Sequence, residues 1–104
     1  VGTSGANAAQ TVSTAVDSGV PMMLHMVTAK YSAAPTHAGV TVTLNNGAGA
    51  GYDAQLDISA ANAQTYVFRP SPPVLIYPDD VVDVVAPAGG AAITSAVTIY
   101  TRPA

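Results

Sequence analysis

"PPVLIYPDDVVDVVAP", residues 72–87, is the stretch that decides the fold. Its aliphatic residues alternate with tyrosine and aspartate in short blocks that lie between prolines. Short blocks of β-branched residues bounded by turn-forming residues are typical of β-strands. No recognised catalytic motif accompanies them. The stretch therefore predicts two strands joined by a Pro-Asp-Asp turn.

The same kind of pattern recurs along the rest of the chain. "GVTVTLNNG", residues 39–47, and "YDAQLDIS", residues 52–59, both alternate apolar and polar residues, as half-buried strands do. The alternation predicts that the apolar members face the core, namely Val40, Val42, Leu44, Ala54, Leu56 and Ile58. Further strands are predicted at 11–16, 22–32, 65–70, 74–78, 80–87 and 92–103.

The segment "MMLHMVTAKYS", residues 22–32, is apolar on both of its strand faces. Its even-numbered face begins Met22, Leu24, Met26, and its odd-numbered face includes Met23 and Tyr31. A strand that is apolar on both sides is typical of one that is covered on both. We therefore expect the core to cover one face and something else to cover the other.

Length and strand spacing together predict the fold class. The 104 residues are enough for one domain with a modest core. Seven or eight short strands with turn signals about every ten residues predict an all-β chain, an antiparallel β-sandwich or jelly roll. Residues 1–16 are predicted to form a flexible N-terminal arm that includes a candidate first edge strand. Residues 17–104 are predicted to form the sandwich domain.

Composition narrows the classes of partner. Only 9% of the residues are charged and the net charge is −3. Three cations scattered along the sequence do not predict a nucleic-acid surface, which needs clustered lysine and arginine. The sequence contains no run of 18 or more apolar residues, so it predicts no membrane-spanning helix. A surface so poor in charge is instead typical of a protein that lies against neighbours.

A search for catalytic chemistry predicts no enzyme, no cofactor and no metal. The chain has no cysteine, and His25 and His37 have no third ligand near them in sequence. We expect His25 to be packed on its strand and His37 to be solvated in its turn. The aspartates at 53, 57, 79, 80 and 83 are expected to face solvent or to form turns. Strand tyrosines leave a carbohydrate-binding module as an alternative.

Residues 37–103 resemble a known group of virion proteins. The residues that carry the resemblance are "HAGVTVTLNNGAGAGYDAQLDIS", "TYVFRPSPPVLIYPDDVVDVVAPAGG" and "AVTIYTRP". This string is similar to the small all-β capsid decoration (cement) proteins of tailed bacteriophages. "PDD" stands where related sequences often have a glycine–aspartate turn, so the resemblance does not extend to the turn type.

The resemblance implies a role and a location. It implies a virion protein that binds the major capsid protein on the outside of the head, often as a trimer, and stabilises the shell by bridging capsomers. A receptor-binding or fibre-type β domain of the same virion is the alternative.

Two segments are candidates for the contacts that such a role needs. The arm is predicted to order on the capsid or to add a strand to a neighbouring sheet, and the methionines of 22–32 suit an adaptable interface. The candidate contact residues are Thr11, Val12, Met22, Met23, Met26 and Tyr31.

Overall fold

The computed structural model describes residues 2–6, 9–14, 21–45, 51, 53–77, 80–90 and 92–103. These residues form nine β-strands. The strands are β1 Gly2–Ala6, β2 Gln10–Ser13, β3 Met22–Tyr31, β4 Thr41–Asn45, β5 Ala54–Ile58, β6 Thr65–Phe68, β7 Val74–Ile76, β8 Val81–Ala86 and β9 Thr94–Pro103.

The strands form two antiparallel sheets. Sheet A has the order β1-β9-β3-β6, and β7 also pairs with β3 beyond the end of β6. Sheet B has the order β2-β8-β4-β5. The predicted all-β antiparallel sandwich is confirmed.

The pairing explains how one chain forms both sheets. β1 pairs with β9, β2 with β8, β3 with β6 and β4 with β5, so that the chain forms one long antiparallel ribbon. Folding this ribbon over itself brings β9 beside β3 and β8 beside β4. This is the strand order of a jelly roll, in which closure of a double ribbon leaves few free edges.

Alternating apolar residues from both sheets fill the core. In β8 the side chains of Val82, Val84 and Ala86 are fully buried, while Asp83 and Val85 lie between them on the outer face. In β9 the residues Ser95, Val97 and Ile99 share the inward face and are buried. The opening stretch 72–87 thus supplies β7 and β8, one strand to each sheet.

Strand β3 changes faces at a β-bulge. Leu24 lies opposite Thr101, whereas Met26 lies opposite Tyr100, which leaves His25 as the extra residue. Before the bulge the even-numbered residue Leu24 faces the core, and after it the odd-numbered residues Val27 and Ala29 do. The uninterrupted two-face pattern expected for 22–32 is therefore wrong.

A second bulge reverses part of β5. The pairing of β4 with β5 shifts between Val42 and Thr43. Asp57 therefore lies opposite the buried Val42, and Ile58 is 50% exposed. The prediction that Ala54 and Ile58 face the core and Asp57 faces solvent is wrong. A bulge moves side chains to the other face of the strand, and the apolar–polar alternation of the sequence does not show where it occurs.

The N-terminal segment is part of both sheets. Residues 2–6, expected in a flexible arm, form β1 along β9, and residues 10–13 form β2 at the edge of sheet B. The edge strand expected at 11–16 is confirmed for residues 11–13, and residues 15 and 16 lie outside the described residues. β1 was missed because its glycines and small residues show no periodicity and its pairing depends on the other end of the chain.

Truncating a core valine tests this architecture. We expect Val84→Ala to lower the free energy of unfolding by about 2 kcal/mol, because it leaves a cavity between the sheets. Val85→Ala on the outer face of the same strand is the matched control and should cost less than about 1 kcal/mol. Urea denaturation of both variants measures the difference, and equal losses would contradict the assignment of β8 faces.

Candidate contact surface

The outer face of sheet A carries the largest collection of exposed apolar side chains among the described residues. Its central strand is β3, with β9 on one side and β6 and β7 on the other. The register places Met23 opposite Leu75, Met26 opposite Tyr100 and Thr28 opposite Val67. We call the five apolar residues of this set, Met23, Met26, Val67, Leu75 and Tyr100, the sheet A contact surface.

These side chains are accessible in the isolated chain. Val67 is 51% exposed, Tyr100 40% and Leu75 39%, and both methionines are half-buried. An exposed apolar collection of this kind is typical of a contact site, and tyrosine and methionine are enriched in such sites. The arrangement can bind a flat partner surface.

Two polar groups border the surface. The guanidinium Nη2 of Arg69 donates to Sδ of Met26 at 3.4 Å. The ring of His25 lies 6.1 Å from that of Tyr100 between centroids, tilted by 53°. His25 is thus half-buried beside the contact surface, and it owes that position to the bulge in β3.

The structure brings together only some of the residues expected to make contacts. Met23 and Met26 belong to the contact surface, while Met22 faces inward and packs against the core. Thr11 is exposed, but on β2 in the other sheet. Val12 and Tyr31 are buried in the core, at 6% and 4% exposure, and take no part in the surface. Val67, Leu75 and Tyr100 were not predicted, because β3, β6, β7 and β9 become neighbours only through long-range pairing.

The second histidine has a structural position. His37 is buried rather than solvated: its Nε2 lies 2.8 Å from the carbonyl oxygen of Ala63, and its ring stacks on Tyr31 at 4.8 Å. Its backbone N–H donates to Oδ1 of Asn62. The expectation of a solvated turn histidine is wrong, because the turn at 61–64 folds over residue 37. Burial also raises the pKa of Tyr31, whose hydroxyl donates to the carbonyl oxygen of Pro87.

The aspartates of sheet B hold strands together. Asp83 accepts hydrogen bonds from Oγ of Ser13 on β2 and from Nδ2 of Asn45 on β4. Asp57 accepts one from the buried Tyr66, across the sandwich from sheet A. Asp53 and Asp80 are half-buried, and Asp79 lies outside the described residues.

No group of three or more histidine, cysteine or acidic residues that could hold a metal ion occurs in the described part of the chain. The same residues contain no helix that is long and apolar enough to cross a membrane. Comparisons with protein-family models, with curated proteins and with solved structures found no match. The contact surface is therefore interpreted from its own geometry.

The hydrogen bond from Tyr66 to Asp57 has a measurable pH signature. Burial, and then the hydrogen bond and the negative charge of Asp57, raise the pKa of Tyr66 well above its ordinary value. When folding raises the pKa of a tyrosine, its contribution to the free energy of unfolding is fully present below the unfolded-state pKa of about 10. That contribution is lost as the pH rises above this value.

We expect the free energy of unfolding to fall between pH 9 and pH 11, by up to about 1.4 kcal/mol per pH unit for each such tyrosine. Tyr66→Phe should cost about 1–3 kcal/mol at pH 7, because Asp57 loses its donor, and should flatten the alkaline decline. Urea denaturation at several pH values measures both effects. An identical alkaline slope in the variant and the parent protein would show that Tyr66 does not titrate in this way.

Proposed function

We propose that this chain is a structural protein of a tailed-phage virion that binds the outside of the capsid and stabilises the shell by bridging capsomers. The sheet A contact surface carries the proposal, because it is an apolar face that the isolated chain leaves accessible. A protein that functions as a lattice component needs such a face. The resemblance of residues 37–103 to capsid decoration proteins supplies the identity of the lattice.

The physical mechanism is linkage between binding and assembly. A ligand that binds the assembled shell and not its separate subunits favours the assembled state by RT ln(1 + [L]/Kd). The stabilisation per site therefore rises with the concentration of free protein and with its affinity for the shell. The proposal includes major capsid protein as the partner, a trimer as the bound form and the capsid surface as the location.

The rest of the molecule supports a scaffold role. Asp83 joins β2 and β4 to β8, and Tyr66 joins the two sheets through Asp57. The chain has few charges to repel a neighbour, at 9% of its residues. The contact surface lies on paired strands over a buried core, and a contact face held in place by the fold lowers the entropy cost of binding.

Copy number tests the proposed function. Particles that carry this protein would be purified on a density gradient, and the protein would be quantified against the major capsid protein. We expect hundreds of copies per particle, lost together with shell stability when the protein is stripped under mild conditions. A handful of copies would contradict the proposal and indicate a fibre-type or receptor-binding domain.

A matched pair of variants tests the surface. Val67 and Ile58 are both β-branched, lie on the edge strands β6 and β5, and are 51% and 50% exposed. We expect Val67→Asn to weaken binding to stripped shells about tenfold or more, since a buried polar group would replace an apolar contact. Ile58→Asn on sheet B should bind like the parent protein.

Sedimentation of labelled protein with stripped shells measures both affinities. Thermal unfolding of the two variants serves as the folding control. If Ile58→Asn weakened binding as much as Val67→Asn, the proposed surface would be wrong.

A further inference from the structure

The charged residues that lie within the strands are divided between the two sheets by sign. The five strands of sheet A contain Lys30 and Arg102 and no acidic residue. The four strands of sheet B contain Asp57 and Asp83 and neither lysine nor arginine. The third cation, Arg69, directly follows β6 in sheet A. All 3 lysine and arginine residues of the chain therefore lie in strands of sheet A or directly beside one, although they are far apart in sequence.

The cations border the sheet A contact surface. Arg102 lies opposite Met23 at one end of β3, and Lys30 lies near the other end, opposite Thr65 and Ala96. Arg69 contacts Met26 between them. All three are exposed, and the cross-strand neighbours of Lys30 and Arg102 are uncharged. From Met23 to Lys30 the strand covers about 20 Å, so positive charge extends along the whole apolar strip.

We propose that the sheet A contact surface binds an acidic protein surface, in which carboxylates lie along both ends of an apolar strip. The inference rests on the proposed function and deepens it, because it assigns this chemistry to the outer surface of the capsid shell. Complementary charge of this kind orients the encounter and speeds association more than it adds affinity. It also makes binding dependent on salt, since the Debye length is about 8 Å at physiological ionic strength.

A protein fits the surface better than a nucleic acid does. Proteins that bind DNA through its backbone neutralise about 6–10 phosphates, and three cations around an apolar strip do not. Exposed valine, leucine, methionine and tyrosine between the cations need an apolar counterpart, which protein interfaces supply.

The strands of sheet B in a second copy of this chain offer no free carboxylate. Their two aspartates are engaged within their own molecule, Asp83 by Ser13 and Asn45 and Asp57 by Tyr66. Asp57 also faces the interior of the sandwich, opposite Val42. We therefore assign the counterpart of the sheet A cations to another protein, and a second copy is an outcome of the test.

Two double variants with equal net charge test the inference. Lys30→Gln/Arg102→Gln removes two positive charges from sheet A, and Thr11→Glu/Gln55→Glu adds two negative charges to exposed positions of sheet B. Each changes the net charge from −3 by two units, to −5. Binding to shells stripped of this protein would be measured by sedimentation from low salt to 1 M NaCl, with thermal unfolding as the folding control.

We expect the parent protein to bind less tightly as salt rises. At about 0.1 M salt the sheet A variant should bind about 2- to 30-fold more weakly, as expected for two exposed ion pairs. At 1 M NaCl, where the Debye length is about 3 Å, it should bind like the parent protein. The sheet B variant should retain most of the parent affinity at every salt concentration.

The outcomes separate this inference from the proposed function. If the parent protein binds shells and Val67→Asn does not, but the sheet A charge variant binds normally with the same salt dependence, the acidic partner is wrong and the proposed function stands. Equal weakening of both charge variants would assign the effect to net charge and overturn the inference. If the parent protein fails to bind shells at every salt concentration, both proposals are wrong.

A measurement without shells tests the second copy. Sedimentation equilibrium of the parent protein should give the same mass at low and high salt, and the sheet A charge variant should match it. A salt-dependent oligomer that Lys30→Gln/Arg102→Gln dissociates would show that the surface binds another copy of the chain, and would overturn the inference.

Discussion

The antiparallel pairing of β3 with β9 is the constraint on which the rest of the structure depends. β9 is the last strand of the chain, and its pairing with β3 closes the ribbon into a two-sheet sandwich. The bulge at His25 within this pair lets Leu24 and Val27 both face the core. It also places Met23 and Met26 on the outer face, three residues apart, where strict alternation would place them on opposite faces. One extra residue thus completes the core and creates the contact surface.

Polar interactions elsewhere in the molecule serve the fold. Asp83 bridges three strands of sheet B, Tyr66 joins the two sheets through Asp57, and His37 fixes its loop against the carbonyl oxygen of Ala63. These groups are buried or half-buried and have partners within the chain. By contrast, the apolar residues and the cations on the outer face of sheet A point away from the core. This difference favours the outer face of sheet A as the surface that contacts a partner.

The sequence predicts this structure well where one strand face is uniformly buried. In β8 and in the first residues of β9, buried and less buried residues alternate as a regular strand requires, because neither strand contains a bulge and each is central in its sheet. The alternation fails at His25 and in β5, where a bulge costs little and leaves no local signature. Of the contact surface, the sequence predicted Met23 and Met26, which share one segment. Val67 and Tyr100 lie beside them only because distant segments of the chain pair in the sheet. The clustering of the cations was hidden for the same reason.

Hydroxyl-radical footprinting of the protein on and off its shell tests the central claim most directly. Met23, Met26 and Tyr100 react readily with hydroxyl radicals, and Ile58 reports on the opposite sheet. We expect the first three to lose reactivity on the shell while Ile58 keeps its own, since Ile58 lies on sheet B and is 50% exposed. Protection of Ile58 with unchanged oxidation of Met23, Met26 and Tyr100 would contradict it, because the outer face of sheet A would then remain open to solvent on the shell.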